Sequence, residues 1–293
     1  MVRRACESSR LSALLVRGAL LLLVCLALAA CNQKRRARGP QLTPLKAAAW
    51  LVELDVPGYG KAAVAVPLGA TTPRSIVIAL HGAADRPEWA CSALRSIAGP
   101  APFVLCPRGT PRTDFPASDR RYTFANADAT ATELRVALKE LKRRFGLYVA
   151  PGPVIFTGFE LGADHVAWIA NQEPAFFSRV LLIEPSPKSW PSPQAALFSR
   201  MGGQRALFAF GPAHRDELQQ KAVLTGRGGA EAHSLFLGDR PLALDAPTLS
   251  LLKRQWPWLA APVRKPAILD NVAGNALSAG GPVPAPTTER PAP

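Results

Sequence analysis

A doubly wound α/β fold, with a mostly parallel sheet and an N-terminal hairpin, is predicted by three features of the 293-residue chain. Short continuous apolar runs recur, as strands covered on both faces require. Helix-period stretches separate most of them, and a run–turn–run pattern precedes the first. Taken in order, runs 50–56 and 62–66 flank Pro57-Gly58-Tyr59-Gly60 and predict the hairpin, because Pro and Gly supply the torsions of a reversal. Runs 75–80, 102–105, 154–157, 180–183, 206–210 and 234–237 predict the remaining strands. The best-defined helix is 129–145, with Leu134, Leu138, Leu141 and Phe145 on one apolar face. Lys142, Arg143 and Arg144 lie at its negative dipole end, and Gly146 stops it. Further helices are predicted over 88–97, 161–171, 214–224 and 247–259. No internal repeat is visible, which excludes a solenoid or propeller. In a sheet of this kind the functional crevice lies at the carboxyl ends of the strands.

The two ends of the chain stand apart from that domain. Arg3, Arg4, Arg10 and Arg17 lie in or before an N-terminal segment whose apolar run, 18–30, finishes Leu28-Ala29-Ala30-Cys31. This finish resembles the bacterial lipobox. The resemblance implies a signal peptide over 1–30, a lipid on Cys31, export, and anchoring of the mature chain in the lipid bilayer of the cell envelope. Asn32 after the cysteine, in place of Asp, implies the outer membrane; an ordinary leader or an uncleaved anchor is the alternative. Residues 31–46 read as a basic tether. Lys34, Arg35, Arg36 and Arg38 there are either drawn to anionic headgroups, at about 1 kcal/mol per residue, or simply solvated. The folded domain is placed at 47–265, and 266–293 is rich in Pro, Ala and Gly and reads as a disordered tail. The net charge is +14, but no recognition motif accompanies it, and nucleic acid is excluded as a partner of an exported chain. Cys6 and Cys25 leave with the leader, so Cys91 and Cys106 are either a disulfide or two buried thiols.

Segment 154–163 carries the chemistry. A buried strand runs into a helix through Gly158-Phe159-Glu160-Leu161-Gly162. This resembles the Gly-x-Ser-x-Gly nucleophile elbow of α/β-hydrolases, in which flanking glycines let a strained turn pack tightly. Run 75–80 ends in His81-Gly82, which resembles the step beside the oxyanion hole. Phe103-Val104-Leu105-Cys106-Pro107-Arg108-Gly109 resembles the next strand and its turn. Together these are most similar to the phospholipase/carboxylesterase and dienelactone-hydrolase branch, over residues 73–260. The resemblance puts Glu160 in the nucleophile position and His81, Gly82 and Leu161 on the oxyanion side. It puts His214 in the acid position, with Asp216 nearby, and Asp239 in the histidine position. His233 falls at the start of the last predicted strand, at the opposite end of the sheet.

With all three catalytic positions substituted, two principal readings stay open. In the first, the chain is a catalytically degenerate homologue that keeps a pocket for a small-molecule or protein ligand. Glu160 is then tolerated because a helix N-terminus offsets about 0.3–1 kcal/mol of its cost. In the second, it is an active carboxylesterase-like hydrolase in which Glu160 forms an ester intermediate and His214 or His165 acts as base. A purely structural envelope protein would have no pocket. His81 either faces an oxyanion pocket or bonds backbone at a strand end. His165, on the elbow helix, reads as a helix-face histidine. Phe159, Leu161, Trp168, Phe176 and Phe177 read as core. No Cys/His cluster has metal-ligand spacing, and the stretch 226–229 lacks the Lys-Ser/Thr of a phosphate loop. Neither metal nor cofactor is expected.

Overall fold

A computed structural model of the chain describes residues 41–239 and 243–261. The predicted signal peptide, Cys31, most of the predicted tether and the predicted tail lie outside the described residues. Eight strands form one sheet: β1 (Leu51–Leu54), β2 (Ala62–Ala65), β3 (Ile76–Leu80), β4 (Phe103–Cys106), β7 (Ile155–Phe159), β8 (Arg179–Ile183), β9 (Arg205–Phe210) and β10 (Glu231–Phe236). Their spatial order is β1-β2-β4-β3-β7-β8-β9-β10. β2 is antiparallel to both β1 and β4, and every other pairing is parallel. A separate small ladder joins β5 (Thr110–Pro111) to β6 (Tyr122–Thr123).

The helices are α1 (Pro87–Ala98), α2 (Ala127–Phe145), α3 (Leu161–Gln172), α4 (Ser192–Arg200), α5 (Arg215–Arg227) and α6 (Ala246–Ala260). The chain reverses direction across the sheet after β4. Right-handed crossovers therefore put α1 on one face and α2 to α5 on the other. Leu249 of α6 and Trp89 of α1 line a common cavity, so α6 shares the face of α1. Coverage on both faces explains why β3, β4 and β9 are buried along their whole length. All of these elements up to Leu259 belong to one compact unit; a second unit begins at Ala260.

Several predicted details change. β10 starts at Glu231 rather than 234, because it is the edge strand and its first residues are polar and largely exposed. His233 is consequently mid-strand, stacked on Trp258 at 3.8 Å. Helix α4 was not predicted: it is short and buries only Ala195 and Phe198, too little for a readable period. Trp168 is 40% exposed, whereas Phe177 is in the core. Cys91 on α1 and Cys106 at the end of β4 form a disulfide with Cα atoms 5.9 Å apart.

Candidate functional site

Chain direction across the sheet switches between β4 and β7, on either side of β3, so the loops after β3 and β7 diverge and leave a crevice at their carboxyl ends. The elbow stands there. Glu160 has φ 48° and ψ −118°, its N–H donates to Ile183 O at 2.9 Å, and its carbonyl accepts from Asp164 N–H at 3.1 Å. Such a sharp turn needs both glycines. A Cβ on Gly158 would stand 2.4 Å from the backbone of Gly162, and one on Gly162 would stand 2.5 Å from the carbonyl oxygens of Leu80 and His81. The missing side chains let α3 start directly against β3.

Three non-glycine residues have positive φ among the described residues: Ala84, Glu160 and Glu184. They follow β3, β7 and β8, three neighbouring strands. Each such torsion costs on the order of 1–3 kcal/mol and persists only where its surroundings enforce it. Glu184 shows the enforcement: its N–H donates to Ala209 O at 2.8 Å, and its Oε2 accepts from Gly211 N–H at 2.7 Å. Asp85, next to Ala84, exchanges backbone hydrogen bonds with Tyr122 at 2.9 and 3.2 Å, and its Oδ1 accepts from Arg86 N–H at 2.8 Å.

The Glu160 side chain is exposed and leans against Gly82, where a Cβ would lie 2.9 Å from its Oε2. Its carboxylate has no hydrogen bond or ion pair among the described residues. Loss of water around it raises its pKa, and the charges of Asp85 and Glu184 raise it further. Beside it opens a cavity of about 570 Å³ walled by Trp89, Ala93, Phe159 and Leu249, with Asp85 and Glu160 at its polar side.

Gly82 and Leu161 adjoin Glu160, but neither the predicted acid nor the predicted histidine position pairs with its carboxylate among the described residues. His214 caps α5 and is half-buried, and the charge it acts on is that of Asp164. Burial raises the Asp164 pKa, while the Ser186 N–H at 2.7 Å, the Ser189 side chain and His214 oppose the rise. Asp216 is exposed in the first turn of α5, and Asp239 is exposed beyond β10. Leu161 opens α3, where first-turn N–H groups have no acceptor within the helix. His81 is fully buried, its Nδ1 2.8 Å from Gly82 O and its Nε2 3.0 Å from Arg108 O. It thus bonds backbone at the strand end, the second of the two predicted alternatives. His165 is also buried. Its Nδ1 lies 3.0 Å from Thr130 Oγ1 on α2, and burial lowers its pKa.

Arg108 shows what the Pro-Arg-Gly turn does. Its guanidinium bonds Glu88 of α1 at 2.6 Å and the carbonyl of Lys61 in the hairpin, while Glu133 accepts from the N–H groups of Arg108 and Gly109 at 2.9 and 3.0 Å. The turn therefore fastens β4 to its surroundings. Asp85, Glu184 and Trp89 were missed by sequence reasoning. Glu184 had one available signal, because it follows the apolar run of β8 as directly as Glu160 follows that of β7. No group of His, Cys, Asp or Glu among the described residues has the arrangement to hold a metal, and no described helix is long and apolar enough to cross a membrane.

No protein-family model and no curated protein matches the chain. Solved structures do resemble it. A carboxylesterase from Mesorhizobium loti superposes with TM-score 0.51 at 19% identity, covering 73% of this chain and 100% of that one. Est1E from Butyrivibrio proteoclasticus gives 0.50 at 10% identity, covering 77% and 100%. The fluorophosphonate-binding serine hydrolase FphF of Staphylococcus aureus gives 0.50 at 10% identity, covering 72% and 98%. Strand order, the strained elbow and these likenesses agree: the chain has the α/β-hydrolase fold.

Proposed function

We propose that this chain is a non-catalytic α/β-hydrolase homologue, tethered to the cell envelope through an acylated Cys31, that binds a ligand in the crevice beside Glu160. The observation that carries this reading is the elbow carboxylate: it has no histidine partner and leans over Gly82. Acyl transfer to a serine requires a base to take its proton and donors for the developing oxyanion. Glu160 has no proton to lose once ionised, so no base can activate it as a base activates a serine hydroxyl. With Asp85 and Glu184 it also gathers negative charge at the elbow, which opposes the developing oxyanion of an acyl transfer there. His165 is held against Thr130, and His214 is set beside Asp164.

Turnover of a short-chain chromogenic ester, by the purified chain and by Glu160→Ala, tests the reading. Equal background rates are expected, and clear turnover lost in the variant would make Glu160 a working nucleophile. The tether has its own test: Cys31→Ser should move the protein from the membrane pellet to the soluble fraction, and retention in the pellet would refute acylation at that residue.

A further inference from the structure

We infer that the cavity beside Glu160 takes a small organic cation, an ammonium group on an apolar aryl or alkyl body. The inference rests on the reading of Glu160 as a binding rather than a nucleophilic group, and names the ligand class of that site. A cavity of about 570 Å³ is of small-molecule size. Its walls are those an apolar body needs: the Trp89 and Phe159 rings with Ala93, Leu244 and Leu249. The ionisable groups among its described lining residues are Asp85 and Glu160, and no described Lys, Arg or His lines it.

Two described arginines beside the Trp89 wall are already engaged. Arg86 and Arg121 lie 5.2 and 4.4 Å from the Trp89 ring centroid and share Asp119, at 2.6 and 2.9 Å. Glu160 feels two further carboxylates and has no cation of its own among the described residues to offset them. This acidity is local, since the whole chain has 35 Lys and Arg against 21 Asp and Glu. The acids are also held in place: Glu184 by Gly211 N–H, Asp85 by Arg86 N–H, and each on or beside a residue of enforced positive φ. Carboxylates clustered without counter-ions beside an apolar hollow repel an anion and favour a cation whose head group replaces the missing partner. The apolar body then leaves water for the ring walls.

Calorimetric titration of the purified full chain with 4-phenylbutylamine, 4-phenylbutan-1-ol and 4-phenylbutyrate compares one body with three head groups. The amine is expected to bind at least about tenfold tighter than the alcohol, and the carboxylate more weakly than either, because like charges repel in the cavity. Glu160→Gln and Asp85→Asn should each weaken amine binding about threefold or more while leaving alcohol binding unchanged, as loss of one partly exposed charge partner predicts. Equal affinity for amine and alcohol, or amine affinity indifferent to Glu160→Gln, would overturn the inference. Ester turnover measured on the same proteins keeps the two proposals distinguishable. Turnover lost in Glu160→Gln overturns the non-catalytic reading, whereas absent amine preference without turnover overturns only the ligand class.

Discussion

Glu160 should make the folded protein less stable than it need be, and three substitutions separate the reasons. Its backbone, at φ 48° and ψ −118°, lies where a Cβ is disfavoured and glycine is at ease. Glu160→Gly removes about 1–3 kcal/mol of strain but adds about 0.5–1 kcal/mol of unfolded-chain entropy. The net expectation is a gain of about 1 kcal/mol over Glu160→Ala, which keeps the Cβ, or about 2–4 °C in melting temperature for a domain of this size. The bond from the residue 160 N–H to Ile183 O survives in all variants, so no hydrogen bond confuses the comparison.

Glu160→Gln keeps the strain and removes only the charge. The folded pKa of Glu160 is raised by lost hydration and by Asp85 and Glu184. A group of that kind contributes stability fully below its unfolded pKa, near 4.3, and loses that contribution as pH rises through the folded value. Glu160→Gln should therefore be more stable than the parent at pH 7.5, with the difference closing near pH 4. Urea denaturation of parent and variants at both pH values measures each difference. The strain argument fails if the Gly variant is no more stable than the Ala variant at either pH. The electrostatic argument fails if the Gln variant is less stable than the parent at pH 7.5. A gain in stability on removing a side chain is what a residue kept for function, at a cost to the fold, would give.

Two further outcomes are expected. Gly162→Ala drives a methyl into the carbonyl oxygens of Leu80 and His81, which cannot retreat without parting α3 from β3. A loss of about 2–3 kcal/mol should appear in urea denaturation, and parental stability would contradict the packing described for the elbow. The Cys91–Cys106 bridge closes a loop with a sequence separation of 15. Its reduction, or a Cys91→Ser/Cys106→Ser double variant, should cost about 3 kcal/mol, and an unchanged urea midpoint would show that the bridge constrains nothing the fold has not already constrained.

The sheet and the elbow were legible in the sequence because both depend on local pattern. A parallel strand covered on two faces must be apolar at every position, so β3, β4 and β9 announce themselves as unbroken runs. The spacing of Gly158 and Gly162 likewise states a steric demand readable in five residues, because any Cβ there would strike backbone. Where the outer face is wet the pattern fades, and the edge strand β10 was read three residues late.

What only the tertiary structure decided concerns meetings between distant segments. Strand order brings the loops after β3, β7 and β8 side by side, so Asp85, Glu160 and Glu184 share one electrostatic environment although 75 and 24 positions separate them along the chain. The rotation of α5 sets His214 beside Asp164, and the contact of α2 with α3 turns His165 toward Thr130. The sequence left Cys91 and Cys106 undecided because their 5.9 Å approach depends on how α1 lies across β4. Local sequence determines which backbone shapes are sterically allowed, whereas the field at Glu160 is a sum over side chains whose distances exist only once the sheet has assembled.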